Sequence, residues 1–280
     1  MVATPIGNLA DITLRALDVL RSVALVLAED TRTAQHLLAH HGLSARLKAL
    51  HEHNEASVAD EVIAMLDRRE DVALVSEAGT PTVSDPGARL IAAVRAAGCA
   101  AVPIPGANAA IAAMSVSGRS GPFAFVGFLP PKPSARRKAI EAWREFPHAL
   151  VLYEAPHRIV ECIADLAAVL GAERRIVIAR ELTKLFETVH ECALGGAVAW
   201  LEADPNRVRG EFTLVVDGAP PAEQALSAQD ERLLHALLAE LPVKQAVRLA
   251  AEIAGGRKNA FYERALALKG EAGAASDWKD

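Results

Sequence analysis

The chain has 280 residues, 51% of them apolar, and a formal net charge of −5. That length and composition support a large core and more than one domain. The charge excludes a molecule whose whole surface attracts nucleic acid, so any such surface must be a local basic patch. Aromatic residues make up 4% of the chain, too few for a broad base-stacking platform. No apolar run approaches the roughly 18 residues of a membrane span. Met1-Val2-Ala3-Thr4-Pro5 lacks the basic and apolar regions of a signal peptide. Cys99, Cys162 and Cys192 are odd in number and in no ligand spacing, so no disulfide framework is expected and cytoplasmic placement is.

Apolar strand-like runs alternate with helix-like segments to about residue 200, the rough pattern of βα units. Asp11 to Leu20 reads as a helix, Val23 to Leu27 as a strand ending in Glu29-Asp30, and Thr33 to His41 as a short helix stopped by Gly42. Asn54 is placed to cap a helix running to about Arg69. Val72 to Val75 reads as a buried strand, followed by a polar loop to Gly87 and a helix to Ala97. A strand is expected at Ala101 to Ile104, then the turn Pro105-Gly106 and a helix from Asn108 to about Ser117-Gly118.

Gly118-Arg119-Ser120-Gly121-Pro122 breaks the pattern and marks a boundary. The second part reads as strand Phe123 to Gly127, helix 134–145, strand Ala149 to Tyr153, helix 157–170, strand 175–179 and a last strand, Glu211 to Val216. The Pro/Ala-rich linker Ala219-Pro220-Pro221-Ala222 leads to helices near 229–240, 243–254 and 258–269, split by Pro242 and Gly255-Gly256. The expected domains are therefore an α/β domain at 1–117, a second at 118–219, and a linker with a helical tail at 220–280.

Val75 to Gly87 is the most informative stretch, with two glycines, two prolines, two carboxylates and four hydroxyl side chains. A turn needs Gly or Pro but not this density of polar groups. The loop follows a strand of parallel type, where open α/β sheets place ligands. Thr4-Pro5-Ile6-Gly7-Asn8 reads as a glycine turn at the same crevice, although Asn8 or Asp11 could simply cap the next helix. It lacks the G-x-G-x-x-G spacing of nicotinamide-binding folds. Ala28-Glu29-Asp30-Thr31-Arg32 is read first as a capped helix start with a salt bridge, and otherwise as a catalytic cluster. His51 and His53 have no third ligand at useful spacing, so metal is not expected and substrate contact or exposure is. Tyr153 to Arg158 and Arg180 to Lys184 place further charged groups at strand ends, where buried pairing is the plainer alternative.

Eight ordered motifs carry a resemblance: Thr4 to Leu9, Glu29 to Arg32, Ser76 to Pro81, Ser84 to Gly87, Pro105 to Ala109, Gly127 to Lys132, Tyr153 to Arg158, and Arg180 to Lys184. Together they resemble the ribosomal RNA small-subunit (cytidine-2′-O)-methyltransferases of the tetrapyrrole methylase superfamily, in order over residues 2–217. The resemblance implies two α/β domains with S-adenosylmethionine held in the cleft between them, plus a small helical domain. It places Gly79, Thr80, Val83, Asn108, Ala109, Tyr153, Glu154, Phe212 and Thr213 at the methyl donor, and Thr4, Pro5 and Gly7 on the floor near substrate. It also implies 16S rRNA of the small ribosomal subunit as substrate and a homodimer. Three departures stand out: Glu77 where the family usually has Asp, Ala107-Asn108 in place of Pro-Ser, and Met1 inside the first strand, so that strand is expected to be short and the start truncated or misassigned.

A ribose 2′-hydroxyl is a poor nucleophile until its proton is drawn off. Glu77, Asp85, Glu154, His157 and His53 are chemically able, with Glu77 and Glu154 placed first. Arg32, Arg158, Arg180 and Lys184 are expected to orient phosphates or hold carboxylates, and His53 to touch substrate. Phosphate contact is also expected from Lys132, Arg136, Arg137 and Lys138, from Arg207 and Arg209, and from Lys244, Arg248, Arg257, Lys258 and Arg264 in the tail. The rival readings are an enzyme acting on a small tetrapyrrole, which would need no basic rim or tail, and a non-catalytic ribosome-binding protein, which would need no donor loops.

Overall fold

The computed structural model describes residues 1–51, 53–220, 226–255 and 258–274. It contains two compact units, Met1–Gly218 and Ala219–Asp280. The expected linker residues Pro221 and Ala222, the turn residue Gly256 and the tail cation Arg257 lie outside the described residues.

The first sheet is parallel, with β2 (Leu47–Ala49) and β3 (Val72–Leu74) flanking β1 (Leu25–Ala28). All four residues of β1 are buried, as expected of a parallel strand covered on both faces. Helices α1 (Leu14–Ser22) and α2 (Thr31–His40) cover one face, and α3 (Glu55–Asp67) and α4 (Ala88–Ala96) the other. Val2 bridges Val75 on one side and Ile104 on the other, so the first strand is a single link. The strand expected at 101–104 shrinks to that bridge, because Pro103 has no N–H to give. Two carbonyls of the segment are also taken, that of Val102 by the Met1 ammonium and that of Pro103 by Arg15.

Side-chain caps moved several helix starts. Thr13 Oγ1 accepts from Ala16 N at 3.1 Å, so α1 begins at Leu14 and the segment expected from Asp11 becomes a separate short turn, Leu9–Asp11. The Asp30 carboxylate accepts from Arg32 N at 2.8 Å, which starts α2 two residues early. Asn54 stands before α3 without capping it; its amide bonds His51 N and Ala49 O instead.

The second sheet has the order β4 (Phe123–Phe128), β5 (Ala149–Glu154), β8 (Phe212–Val216), β6 (Arg175–Arg180), β7 (Thr188–Ala193). Only β4–β5 is parallel; the other three pairings are antiparallel. Continued βα units were the expectation here, and β7, the following helix α8 (Leu194–Glu202) and the short β2 were not foreseen. One face is packed by α6 (Pro133–Glu141), α7 (Ile159–Leu170) and α8, with Ile163, Leu166 and Leu214 at its centre. The other is packed by α5 (Ala109–Val116), whose Ala110 and Ala113 lie on Val151, Val177 and Val215. Small side chains let this helix sit close to the strands, while Ile111 and Val116 on its other side stay exposed.

The C-terminal unit consists of α9 (Ala228–Glu240), α10 (Val243–Ile253) and α11 (Lys258–Ala274) around Leu234, Val247, Ala250 and Phe261. Ser227 and Asp230 form a reciprocal capping box at the start of α9. Among the described residues no helix is long and apolar enough to cross a membrane.

The loop after β3 ends on Gly87, at φ 119°, where an added Cβ would come within 2.5 Å of Leu74 Cδ2. Gly87→Ala is therefore expected to lower stability by about 2 kcal/mol through backbone strain and overpacking of Leu74. Urea denaturation of the two proteins checks this.

Candidate active site

The carboxyl ends of β5 and β6 lie beside the amino end of β8, with Glu154 and Arg180 both registered on Phe212. Loop 75–87 faces this edge from the first sheet. Thr4 pins it in place, since Thr4 N donates to Gly79 O at 2.8 Å and Gly79 N to Thr4 O at 3.1 Å. Ser76 Oγ also donates to Gly79 O at 3.0 Å, and Thr80 Oγ1 ties the loop to Ala107 O at 3.1 Å. Gly79, Thr82 and Ser84 all have left-handed φ, at 85°, 71° and 70°. Two left-handed hydroxyl residues so close together are uncommon, because both carry a Cβ, and they persist only where surrounding bonds fix them.

Between the loop and the sheet edge lies a cavity of about 390 Å³, within the range of small-molecule sites. Gly79, Thr80, Val83, Asn108, Ala109, Tyr153, Glu154, Phe212 and Thr213, the nine residues placed at the methyl donor by resemblance, all line it. An added Cβ on Gly79 would reach 3.3 Å from Ile6, so the bare glycine keeps the floor open. Asn108 Oδ1 accepts from Ile111 N at 3.2 Å and is committed to capping α5. Tyr153 spans the two walls: its hydroxyl accepts from Ala110 N at 3.1 Å, and its ring meets Phe125 and Phe128 edge-on. A second cavity of about 240 Å³ adjoins it, sharing Ile6, Glu77, Ala78 and Glu211. Thr4, Pro5, Gly7 and Lys184 line that second cavity. Gly7 packs directly on the Lys184 chain, which leaves no room for a side chain.

The charged residues separate into two kinds. Glu77 is exposed and lines both cavities. Glu154 does not have the access expected of a base. Its side chain is 0% exposed, faces Arg158 at 3.2 Å and accepts from Ala155 N, so its contribution to the cavity wall is through backbone. Burial and the Glu154 charge push the neighbouring Cys162 thiol up. Arg158 itself bonds Leu129 O, and Arg180 bonds Arg209 O and Phe186 O, so both hold loops in place rather than face phosphate. Arg136 is buried against Asp165 at 2.6 Å and Glu161 at 3.3 Å, and so is removed from the expected basic surface. Burial alone would raise the Asp165 carboxyl, but hydrogen bonds from Arg137 and Arg136 hold it below its ordinary value.

Lys132 and Lys138 remain exposed, as do Lys244, Arg248 and Lys258 in the C-terminal unit. Arg137 is ion-paired to Asp165, Arg264 to Glu231, and Arg207 lies over the Trp200 ring. Arg32 projects outward while bonded to Asp30, whose carboxyl that guanidinium holds at about 2. His53 is exposed and lines neither cavity. Among the described residues no three His, Cys, Asp or Glu groups converge to hold a metal.

Asp85 was only one of several able bases in the sequence. In the structure it lines the main cavity half-buried, and burial, Glu29 and Glu77 together raise its carboxyl to about 6. The signal available in the sequence was its position between two loop-forming residues, Ser84 and Pro86.

The family model of the Tetrapyrrole (Corrin/Porphyrin) Methylases matches residues 1–198, and that of the RsmI C-terminal HTH domain matches residues 224–269. The chain is 49% identical over 271 residues to the ribosomal RNA small subunit methyltransferase I of Escherichia coli O157:H7, covering 96% of this chain and 95% of that one. It is 50% identical over 274 residues to the protein of the same name from Pseudomonas aeruginosa, covering 97% of each. Among solved structures, uroporphyrin-III-C-methyltransferase from Thermus thermophilus matches with a TM-score of 0.54 and 20% identity, over 77% of this chain and 92% of that one. The methyltransferase CobJ matches at 0.55 and 17%, over 78% and 95%. These structural likenesses show the fold.

Arg136→Ala strips the buried one of two cations from Asp165 and is expected to cost about 3 kcal/mol of stability. Thermal unfolding checks this. The salt dependence of RNA binding by the folded variant should match that of the unchanged protein.

Proposed function

The chain belongs to the tetrapyrrole methylase family, and from that premise we propose that it methylates the 2′-hydroxyl of a cytidine in 16S rRNA of the small ribosomal subunit, with S-adenosylmethionine as donor. The observation that carries the reading is the single cavity on which all nine expected donor residues converge. Near-full-length identity to two proteins named for small-subunit rRNA methylation supports the substrate.

The cavity suits the donor in size and chemistry. Backbone around Gly79, Thr80 and Ala109 provides hydrogen-bonding groups at the wall, Phe212 and Tyr153 provide apolar surface, and Glu77 provides negative charge for a cationic ligand. When bound, the donor supplies an already activated methyl group, which leaves the protein the tasks of alignment and proton removal. The adjoining cavity, through Glu77, Lys184, Pro5 and Gly7, gives the target nucleotide a place beside the donor. Lys132 and Lys138 on one unit, and Lys244, Arg248 and Lys258 on the other, supply exposed cations for RNA phosphates. The exposed Phe123, Phe125 and Phe128 of β4 run toward the cavity and favour a two-fold dimer that covers them. The protein acts in the cytoplasm on this reading, and no step calls for a metal.

Ala109→Phe should fill the cavity at the start of α5 and weaken S-adenosylmethionine binding about tenfold or more. Calorimetric titration of both proteins measures it; full-strength donor binding by the variant, or none by the unchanged protein, contradicts the donor site. Binding to small subunits should fall steeply between 50 and 200 mM salt, by about 10³-fold if six phosphates are neutralised. A salt-insensitive affinity contradicts the phosphate contacts.

A further inference from the structure

Resting on the methyltransferase reading, we propose that Asp85 is the catalytic residue that takes the proton from the ribose 2′-hydroxyl, and that Glu77, which lines the same cavity, acts through it.

Four observations converge on Asp85. It lines the donor cavity, directly after the left-handed Ser84, and Gly127 allows the opposing strand to approach Ser84 closely; an added Cβ there would stand 3.2 Å from Ser84 Oγ. Among the described residues its carboxylate has no hydrogen-bond or ion-pair partner, unlike the paired carboxylates of Glu154, Asp165 and Glu181. It is half-buried, and the charged groups acting on it are negative: Glu29 at the end of β1 and Glu77 in its own loop. Tyr153 on β5 also feels its charge. Arg32, the cation that feels the Glu77 charge, is bonded to Asp30. A carboxylate that is desolvated, flanked by like charges and left without a donor holds a proton more readily than an ordinary one. It is thereby suited to receive one near neutral pH.

Three of the four alternatives are poorly placed. Glu154 is enclosed by Arg158 and Cys162, while His157 and His53 are exposed and line neither cavity. Glu77 faces solvent, and its effect on Asp85 gives it a role without proton transfer. In the step itself the O–H bond breaks and its proton passes to an Asp85 oxygen. The electron pair left on O2′ forms the new O–C bond, and the C–S pair departs with sulfur as a neutral thioether. Asp85 then returns its proton to water.

Below about pH 6 Asp85 holds a proton and cannot accept another, so turnover should rise with pH through an inflection near 6. Removing the Glu77 charge should move that inflection to lower pH.

The test compares the unchanged protein with Asp85→Asn and Asp85→Glu on isolated small subunits, and measures S-adenosylmethionine affinity and thermal stability in parallel. Asp85→Asn is expected to cut turnover about a hundredfold or more, with donor affinity within about threefold and a midpoint of unfolding at or above the original at pH 8. Asp85→Glu should recover part of the rate, and it carries the test if the Asn variant does not fold. Independently of activity, NMR titration of the ligand-free protein should place the Asp85 carboxyl near 6 and lower in Glu77→Gln. Turnover by Asp85→Asn within about threefold of the original, or a loss matched fully by lost donor affinity, overturns the proposal. An unchanged protein that binds donor but never methylates subunits overturns the reading beneath it instead.

Discussion

The reciprocal pair of backbone hydrogen bonds between Thr4 and Gly79 is the constraint on which the site depends. It fixes the loop after β3 against the amino terminus, although the first strand is only a single bridge at Val2. With Gly79 held, Ser76 and Thr80 can close their own bonds, and the left-handed turns at Thr82 and Ser84 become tolerable. Asp85 then lines the cavity with no hydrogen-bond or ion-pair partner among the described residues. The strain and the unpaired charge are both costs to stability of the kind that functional sites carry.

The second sheet supplies the opposite wall by a different route. Its antiparallel pairing puts the start of β8 beside the ends of β5 and β6, so Phe212 and Thr213 come level with Glu154 and Tyr153. Helix α5 follows Asn108 in the first half of the chain yet buries its alanines on this sheet. The bond from Ala110 N to the Tyr153 hydroxyl fastens the helix start to the far wall. The cavity is thus closed by elements that the chain separates by about a hundred residues, held at van der Waals distance by small side chains.

Much of this was legible in the sequence, and for identifiable reasons. Buried parallel strands such as Leu25–Ala28 are continuous apolar runs, and loops dense in Gly, Pro and hydroxyls stand out after them. What was hidden depends on partners. β7 alternates half-buried and exposed residues with His190 and Glu191 inside it, so it reads as polar; its strand character comes from pairing with β6. A charged residue's role is likewise set by its neighbours: Arg136 and Lys132 look alike in sequence, yet Asp165 draws one inside and leaves the other in water. The Glu154 carboxylate ranked ahead of that of Asp85 in the sequence, because nothing there shows Arg158 and Cys162 around it.

The central claim is that this cavity serves methyl transfer to a ribose hydroxyl on small-subunit RNA. Mass mapping of ribose methylation on 16S rRNA, from cells with and without the protein, tests it most directly. The account predicts one cytidine that carries a 2′-O-methyl group only when the protein is present. Identical methylation maps in the two cases would contradict it.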